Sequence, residues 1–114
     1  MTSSSSFAQT LSPPYYVVVF SSQRTAKGDA DYSAMADHMA ELAAQQPGYL
    51  GVESARNASG FGITVSYWTD EAAISAWKRN AEHQIAQDTA KSDWYSHYET
   101  RVAKVERAYS LSSI

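Results

Sequence analysis

The stretch that decides the fold runs from Gln46 to Gln87 and reads QPGYLGVESARNASGFGITVSYWTDEAAISAWKRNAEHQIAQ. Pro47 and Gly48 end a preceding helix, because proline disfavours helical geometry in the residue before it and glycine readily adopts a left-handed one. Two β-like runs then flank a turn at 57–60, and an acidic pair opens a second helix. The stretch therefore predicts helix end, β-hairpin and helix, in that order.

The hairpin is predicted over Tyr49 to Arg56 and Phe61 to Trp68, closed by the short loop NASG. Alternation along the later strand gives it two different faces. One face is large and apolar and carries Phe61, Ile63, Val65 and Tyr67. The other face carries Gly62, Thr64, Ser66 and Trp68. This face is small and polar enough to border a cavity or an interface.

A first strand is predicted from Tyr15 to Ser22, and it is apolar on both faces. Such a strand is expected at the centre of a sheet that is covered twice. A chain this short has enough helix to cover only one face. A second subunit is the natural cover for the other face, so the sequence predicts a homodimer whose sheets face each other.

Two helices complete the prediction. The first runs from Asp31 to Gln46, with Asp29 or Asp31 as candidate N-cap. The second runs from 70 to 91, and its stripe contains Ile74, Trp77, Ala81, Ile85 and Asp88. A possible helical turn at 92–96 leads to a last strand at about 98–108. The order strand, helix, strand, strand, helix, strand predicts an α+β ferredoxin-like fold, with an antiparallel sheet and both helices on one face.

The length of 114 residues fits one domain, predicted over residues 14–110. Residues 1–13 form a Ser-rich leader that is predicted to be disordered, and residues 111–114 form a tail. A net charge of -3 with scattered basic residues argues against a nucleic-acid partner. The chain has no cysteine, no signal-like start and no apolar run long enough for a membrane span. These features predict a cytoplasmic protein without a membrane partner.

Four blocks of the chain resemble successive blocks of the antibiotic biosynthesis monooxygenase superfamily: YYVVVFSSQRT, AMADHMAELAAQQPGYLGVESAR, GFGITVSYWTDEAAISAWKRNAEHQIAQ and WYSHYETRVAKVERAYS. The resemblance covers about Tyr15 to Ser110 and implies a dimeric α/β barrel. It also implies a cofactor-independent monooxygenase acting on a small phenol or quinol in a pocket between sheet and helices. The superfamily contains haem-degrading enzymes, isomerases and proteins without a known reaction as well. A non-catalytic small-molecule or haem-binding dimer, and an isomerase or cyclase, therefore remain alternatives.

The haem-degrading branch of that superfamily places an iron-binding His ten residues after the helix Trp, and an Asn on the first strand. Counted from Trp77, the tenth residue here is Gln87, and the first strand ends in Ser21-Ser22-Gln23. Both differences argue against haem degradation. The sequence has no glycine-rich phosphate loop. Its three histidines do not have the spacing of metal ligands. The sequence predicts no cofactor and no metal.

Candidate site residues are the groups able to move a proton and the aromatic or cationic groups able to hold a ring. The catalytic candidates are His38, His83 and Tyr95. The substrate-binding candidates are Trp68, Trp77, Trp94, Tyr98 and Arg101. Most have a structural alternative. His38 and His83 could be structural histidines, and Trp77 could be a core anchor. The aromatic residues near the last strand could form a subunit interface, and Arg101 could form an ion pair with Glu53 or Glu99.

Overall fold

The chain folds as one four-stranded antiparallel sheet with two helices. The computed structural model describes residues 7–86 and 94–111, and for residues 83–86 only the backbone. The elements are β1 (Tyr15–Arg24), α1 (Asp29–Ala44), β2 (Tyr49–Arg56), β3 (Phe61–Trp68), α2 (Glu71–Ala86) and β4 (Tyr95–Val105). The strand order across the sheet is β2-β3-β1-β4. The predicted ferredoxin-like fold is confirmed.

Both hairpin strands have the predicted bounds, and their loop closes as expected. The Gly60 N–H donates to the Asn57 carbonyl at 3.0 Å, and the Phe61 N–H donates to Asn57 Oδ1 at 3.0 Å. Gly48 has a φ of 86°. A Cβ added there would lie 2.6 Å from the Cβ of Ala73. The preceding helix and the following hairpin can therefore approach α2 only through a glycine.

Three predicted elements have wrong bounds. Helix α1 runs from Asp29 to Ala44 rather than from Asp31 to Gln46. Gly28 precedes it in the left-handed region without a side-chain cap, so neither Asp29 nor Asp31 is the N-cap. Strand β1 continues to Arg24, which pairs with Tyr95 through an irregular step in the ladder. Tyr95 and Ser96 therefore lie in β4 and not in a helical turn, and β4 ends at Val105. The predicted helix residues 87–91 and turn residues 92–93 lie outside the described part.

Helix α2 begins after Asp70, whose carboxylate accepts the Ala73 N–H at 2.8 Å. This is the usual role of an acidic N-cap residue. Pairing in the sheet shows which side chains face the helices, because directly opposed residues share a face. The helix side carries Tyr16, Val18, Phe20 and Ser22 of β1 and Gly62, Thr64, Ser66 and Trp68 of β3. The open side carries Tyr15, Val17 and Val19 of β1 and Phe61, Ile63, Val65 and Tyr67 of β3.

Part of the predicted leader touches the open side of the sheet. The Ala8 N–H donates to Glu53 Oε2 at 3.0 Å, and the Thr10 hydroxyl bonds to the Tyr15 hydroxyl at 3.3 Å. Residues 1–6 and 112–114 lie outside the described residues, and the bounds of the leader, domain and tail stay a prediction. Neither of the two described helices is long and apolar enough to cross a membrane.

Candidate functional site

An aromatic cluster occupies one end of the helix side of the sheet. We call it the tyrosine cluster, and its members are Phe20, Tyr32, Trp94, Tyr95 and Tyr98. The Tyr95 ring lies 5.6 Å from Phe20, 5.7 Å from Tyr32 and 5.9 Å from Tyr98 between ring centroids. All three contacts are edge-to-face, a geometry that aromatic pairs prefer.

Three elements build this cluster. The extended β1–β4 ladder places Tyr95 opposite Arg24 and Tyr98 opposite Ser22. The first turn of α1 supplies Tyr32, which lies edge-to-face on Trp94 at 5.8 Å. Gly28 has a φ of 67°, a left-handed conformation that favours glycine, and a Cβ added there would be in tight contact with the Trp94 ring at 3.1 Å. The buried Trp94 Nε1–H has no acceptor among the described residues.

Arg24 supports the ring of Tyr32 from the β1 side. Its guanidinium carbon lies 3.9 Å from the ring centroid, within cation–π range. Its terminal nitrogens donate to the Trp94 carbonyl at 2.5 Å and to Asp29 Oδ1 at 2.7 Å. The charge of this nearly buried side chain is therefore balanced by a carboxylate at the start of α1.

Arg56 approaches the same tyrosine from β2. Its Nη2 donates to Ser22 Oγ at 2.9 Å and to the Tyr32 hydroxyl at 3.2 Å. Its Nη1 donates to the carbonyls of Gly60 at 2.5 Å and Ser22 at 3.3 Å. The guanidinium lies across Gly62, where an added Cβ would be 2.7 Å from the guanidinium carbon. The absence of a side chain at Gly62 thus lets Arg56 reach the tyrosine cluster.

The hydroxyls of Tyr32 and Tyr95 lie 3.3 Å apart. Burial, followed by the hydrogen bond to Tyr32, raises the pKa of Tyr95 above the ordinary value of a phenol. Tyr95 is therefore protonated at neutral pH. In this arrangement it donates or accepts a hydrogen bond as a neutral hydroxyl and does not act as a phenolate base.

A second aromatic group lies at the other end of the same sheet face. Trp68 is fully buried and stacks on Trp77 of α2, with ring centroids 6.0 Å apart and an interplanar angle of 24°. Tyr49 meets Trp68 edge-to-face at 5.6 Å. The Trp68 Nε1–H donates to Ser66 Oγ at 2.9 Å. With its polar atom satisfied, this tryptophan stack fastens α2 to the sheet.

His38 and Arg101 lie apart from the tyrosine cluster. His38 lies on the exposed surface of α1, beside a shallow depression of about 270 Å³ lined also by Asp31, Ala34 and Met35. His83 lies on α2, and its side chain is outside the described part. Arg101 projects from the open side of β4 and donates to Glu99 at 2.7 Å. Among the described residues, no group of three His, Asp or Glu side chains is placed to hold a metal ion.

Thus the structure brings Trp94, Tyr95 and Tyr98 together and separates them from Trp68 and Trp77. Sequence reasoning missed Tyr32, Arg24 and Arg56. The spacing of Tyr32, Met35 and Met39 is that of an ordinary apolar helix face, so it does not single out Tyr32 as a site residue. The two arginines are the last residues of β1 and β2. Whether these strand ends lie close together can be predicted only when the strand order and register are known. The available signal for Arg56 was its position opposite Gly62 in the predicted hairpin, which places both residues on the same face of the sheet.

A family model described as antibiotic biosynthesis monooxygenase matches residues 14–89. This is well over half of the chain, and the chain therefore belongs to that family. It is 51% identical over 100 residues to the uncharacterized protein YqjZ of Bacillus subtilis, covering 88% of this chain and 87% of that protein.

Two solved structures show the same fold. SnoaB of Streptomyces nogalater, a cofactor-independent oxygenase, superposes with a TM-score of 0.64 at 17% identity, over 84% of this chain and 97% of that one. Protein SO0527 of Shewanella oneidensis gives a TM-score of 0.68 at 15% identity, over 83% and 94%. At these identities the likeness concerns the fold and not the reaction.

Proposed function

We propose that the protein is a cofactor-independent monooxygenase that oxidises a small phenol between the helix side of the sheet and the helices. The observation that carries this proposal is the tyrosine cluster, where aromatic rings surround a pair of neutral hydroxyls on a scaffold of the monooxygenase family. Phe20 and Tyr98 offer ring faces for a planar substrate, and the Tyr98 side of the cluster is open, with that residue 56% exposed. A substrate can therefore enter beside Tyr98.

The reaction needs no reductant other than the substrate. A phenol plus dioxygen gives a quinone plus water. After loss of the phenolic proton, the phenolate passes one electron to dioxygen, and the superoxide joins a ring carbon of the phenoxyl radical. The resulting peroxide anion takes up one proton from water to form a hydroperoxide. Cleavage of the O–O bond, with loss of the proton on that carbon, leaves a carbonyl and releases one oxygen as water.

The protein supplies orientation, hydrogen bonding and exclusion of water in this scheme. Tyr95 or Tyr32 donates to the substrate oxygen. His38 lies on the exposed surface of α1, so in this proposal the phenolic proton passes to water at the open edge beside Tyr98. His83 is the alternative acceptor, and a His83→Gln variant tests it. Trp68 and Trp77 stack on each other at the other end of this sheet face.

An oxygen electrode tests the proposal with a panel of phenols and quinols. We expect protein-dependent oxygen uptake that Tyr95→Phe reduces and that Tyr109→Phe, a change at an 83% exposed tyrosine outside the cluster, leaves intact. Adding catalase distinguishes water from hydrogen peroxide as the reduced product, because peroxide would return oxygen. No uptake with any member of the panel would contradict the proposal. Isomerised product without uptake, or saturable binding of hemin, would instead support the alternatives named above.

The same proposal includes a homodimer in which a second copy covers the open side of the sheet. Phe61 and Ile63 are 44% and 41% exposed on that side, where they lie opposite Gln23 and Ser21 of β1. Val65, the next open-side residue of β3, pairs with Val19. Exposed large apolar side chains on one face of a sheet are typical of a subunit interface. The tyrosine cluster and the proposed entry beside Tyr98 lie on the helix side, so dimerisation through the open side leaves the entry accessible.

A further inference from the structure

The Tyr32 and Tyr95 hydroxyls carry two protons, but among the described residues they donate only one hydrogen bond. Two neutral phenols carry two hydroxyl protons, and the single bond between them uses one. The other bond at Tyr32 is donated by Arg56 and uses a lone pair of the oxygen, not a proton. No further acceptor for either hydroxyl is found among the described residues. One hydroxyl proton is therefore available to a ligand, whichever of the two tyrosines carries it.

The charge next to this pair is also unbalanced. Arg24 is paired with Asp29, as described above. The ion pairs of the described residues do not include Arg56, whose neighbours are two carbonyls and two hydroxyls. Its terminal N–H groups are all occupied by these neutral acceptors. The positive charge thus acts on a ligand through Tyr32, because a donor that bonds to a hydroxyl oxygen strengthens the donation from that hydroxyl.

We propose that the Tyr32–Tyr95 hydroxyl pair, polarised by Arg56, binds the anionic oxygen of a flat aromatic ligand, a carboxylate or a phenolate. The ligand oxygen accepts the available hydroxyl proton, and its ring packs against Phe20 and Tyr98, whose centroids are 5.3 Å apart. Arg56 is a positioning residue that selects the anionic form. This inference rests on the proposed function for the place of the ligand, and it names the substrate of that site as an aryl oxyanion.

The position of the Arg56 side chain also explains why residue 62 is a glycine. Opposite Ser22 in the ladder, this position faces the helix side, where a side chain would be expected to fill space. Any Cβ there would instead displace the guanidinium of Arg56. Because that group is the far end of a flexible side chain, Gly62→Ala should move it away while the strand persists. The variant keeps the arginine in the protein and removes it from the tyrosine pair.

Calorimetric titration of the full chain with a matched pair of probes tests this site. The probes are 2-naphthoate and its neutral isostere 2-naphthamide. We expect naphthoate to bind about tenfold or more tightly than the amide, the order of a charge-assisted hydrogen bond. Arg56→Gln and Gly62→Ala should each bring the two affinities to within about twofold of each other, as the polarising charge is lost. Arg107→Gln, at an exposed arginine beyond β4, should preserve the discrimination.

A phenol provides the second arm. 4-Nitrophenol should bind preferentially as its phenolate, so that its absorbance titration moves to lower pH in the presence of the wild type and returns in Arg56→Gln. Naphthoate selectivity without this movement would restrict the site to carboxylates and contradict the phenolate part of the proposal. Circular dichroism of each variant verifies that its fold is kept.

Equal affinity of the two naphthalene probes for the wild type, no binding of naphthoate, or full selectivity in folded Arg56→Gln would each overturn the inference. These results are separable from the oxygenase test. Oxygen uptake with neutral phenols and no anion selectivity would retain the proposed function alone. Anion selectivity without oxygen uptake by any phenol would retain the binding site and reject the oxygenase.

Discussion

The two sides of the sheet differ in how the chain covers them. On the helix side, Trp68 is fully buried and Ser22 is 2% exposed. On the open side, Phe61 and Ile63 are 44% and 41% exposed although they belong to the same strand as Trp68. The helices therefore cover the β1–β3 part of one side, although Val102 of β4 stays 51% exposed there. On the other side Tyr15 is buried near residue 10, whereas Phe61 and Ile63 stay exposed.

The comparison separates three kinds of contact. The tryptophan stack is apolar, and its one polar atom is satisfied, so its main contribution is packing. The tyrosine cluster, on the same side, has a spare hydroxyl proton and an unbalanced guanidinium, which are features of a binding site. The open side is distinguished by exposed apolar side chains of β3, which fit a partner of similar character.

The largest expected effect is on the helix side at Trp68. Trp68→Ala removes a fully buried ring and the stacking surface of Trp77, and should lower the free energy of unfolding by about 3–5 kcal/mol. Urea denaturation followed by circular dichroism measures the change. Trp77→Ala is the matched variant, and the smaller burial of this residue should make its cost lower. An equal or greater loss for Trp77→Ala would refute the view that the sheet residue is the anchor.

On the open side we expect the oligomeric state to change. Ile63→Glu places a charge in the proposed interface and should weaken self-association by about a hundredfold, equivalent to about 2.7 kcal/mol. Analytical ultracentrifugation over a range of protein concentration measures it. The matched control is Val102→Glu, at a residue of β4 that is 51% exposed on the helix side. A wild type that sediments as a monomer throughout would disprove the proposed dimer.

The fold was predictable because its signals are local. Alternation predicted both hairpin strands, and the acidic residues before α2 predicted its start. Pro47-Gly48 predicted that α1 ends before β2 but placed its end two residues late. The errors in β1 and β4 occurred where a distant partner decides. Tyr95 joined β4 because Arg24 extends the ladder opposite it, and this pairing is not visible in the residues around Tyr95.

The site was predictable only in part, for the same reason. Aromatic composition identified Trp94, Tyr95 and Tyr98 as one group, since they are close in sequence. Their partner Tyr32 is 63 residues away from Tyr95, and Arg56 reaches it only across Gly62. Arg101 is close in sequence to the cluster but not in space. It follows Tyr98 by three residues on β4, so strand alternation places it on the open side.

A smaller effect on stability is expected in the tyrosine cluster. Tyr95→Phe removes one hydroxyl and its bond to Tyr32 but keeps the ring contacts, and should cost about 1 kcal/mol of unfolding free energy. Tyr109→Phe, at an exposed position, should change stability by less than about 0.5 kcal/mol. Urea denaturation of both variants provides the measurement. If Tyr95→Phe were as costly as Trp68→Ala, the cluster would be a core element and the contrast between the two aromatic groups would fail.

The smallest effect is a pH dependence on the open side. Burial, and then the hydrogen bond to Glu53, raises the pKa of Tyr67 to about 12 from 10.0. The folded chain holds this proton more tightly than the unfolded chain, so the stabilisation is complete below pH 10 and is lost as the pH rises towards 12. Wild type should therefore lose unfolding free energy more steeply than Tyr67→Phe in that interval. Parallel curves for the two proteins would mean that the Tyr67–Glu53 bond, 2.5 Å in length, does not distinguish the two ionisation states.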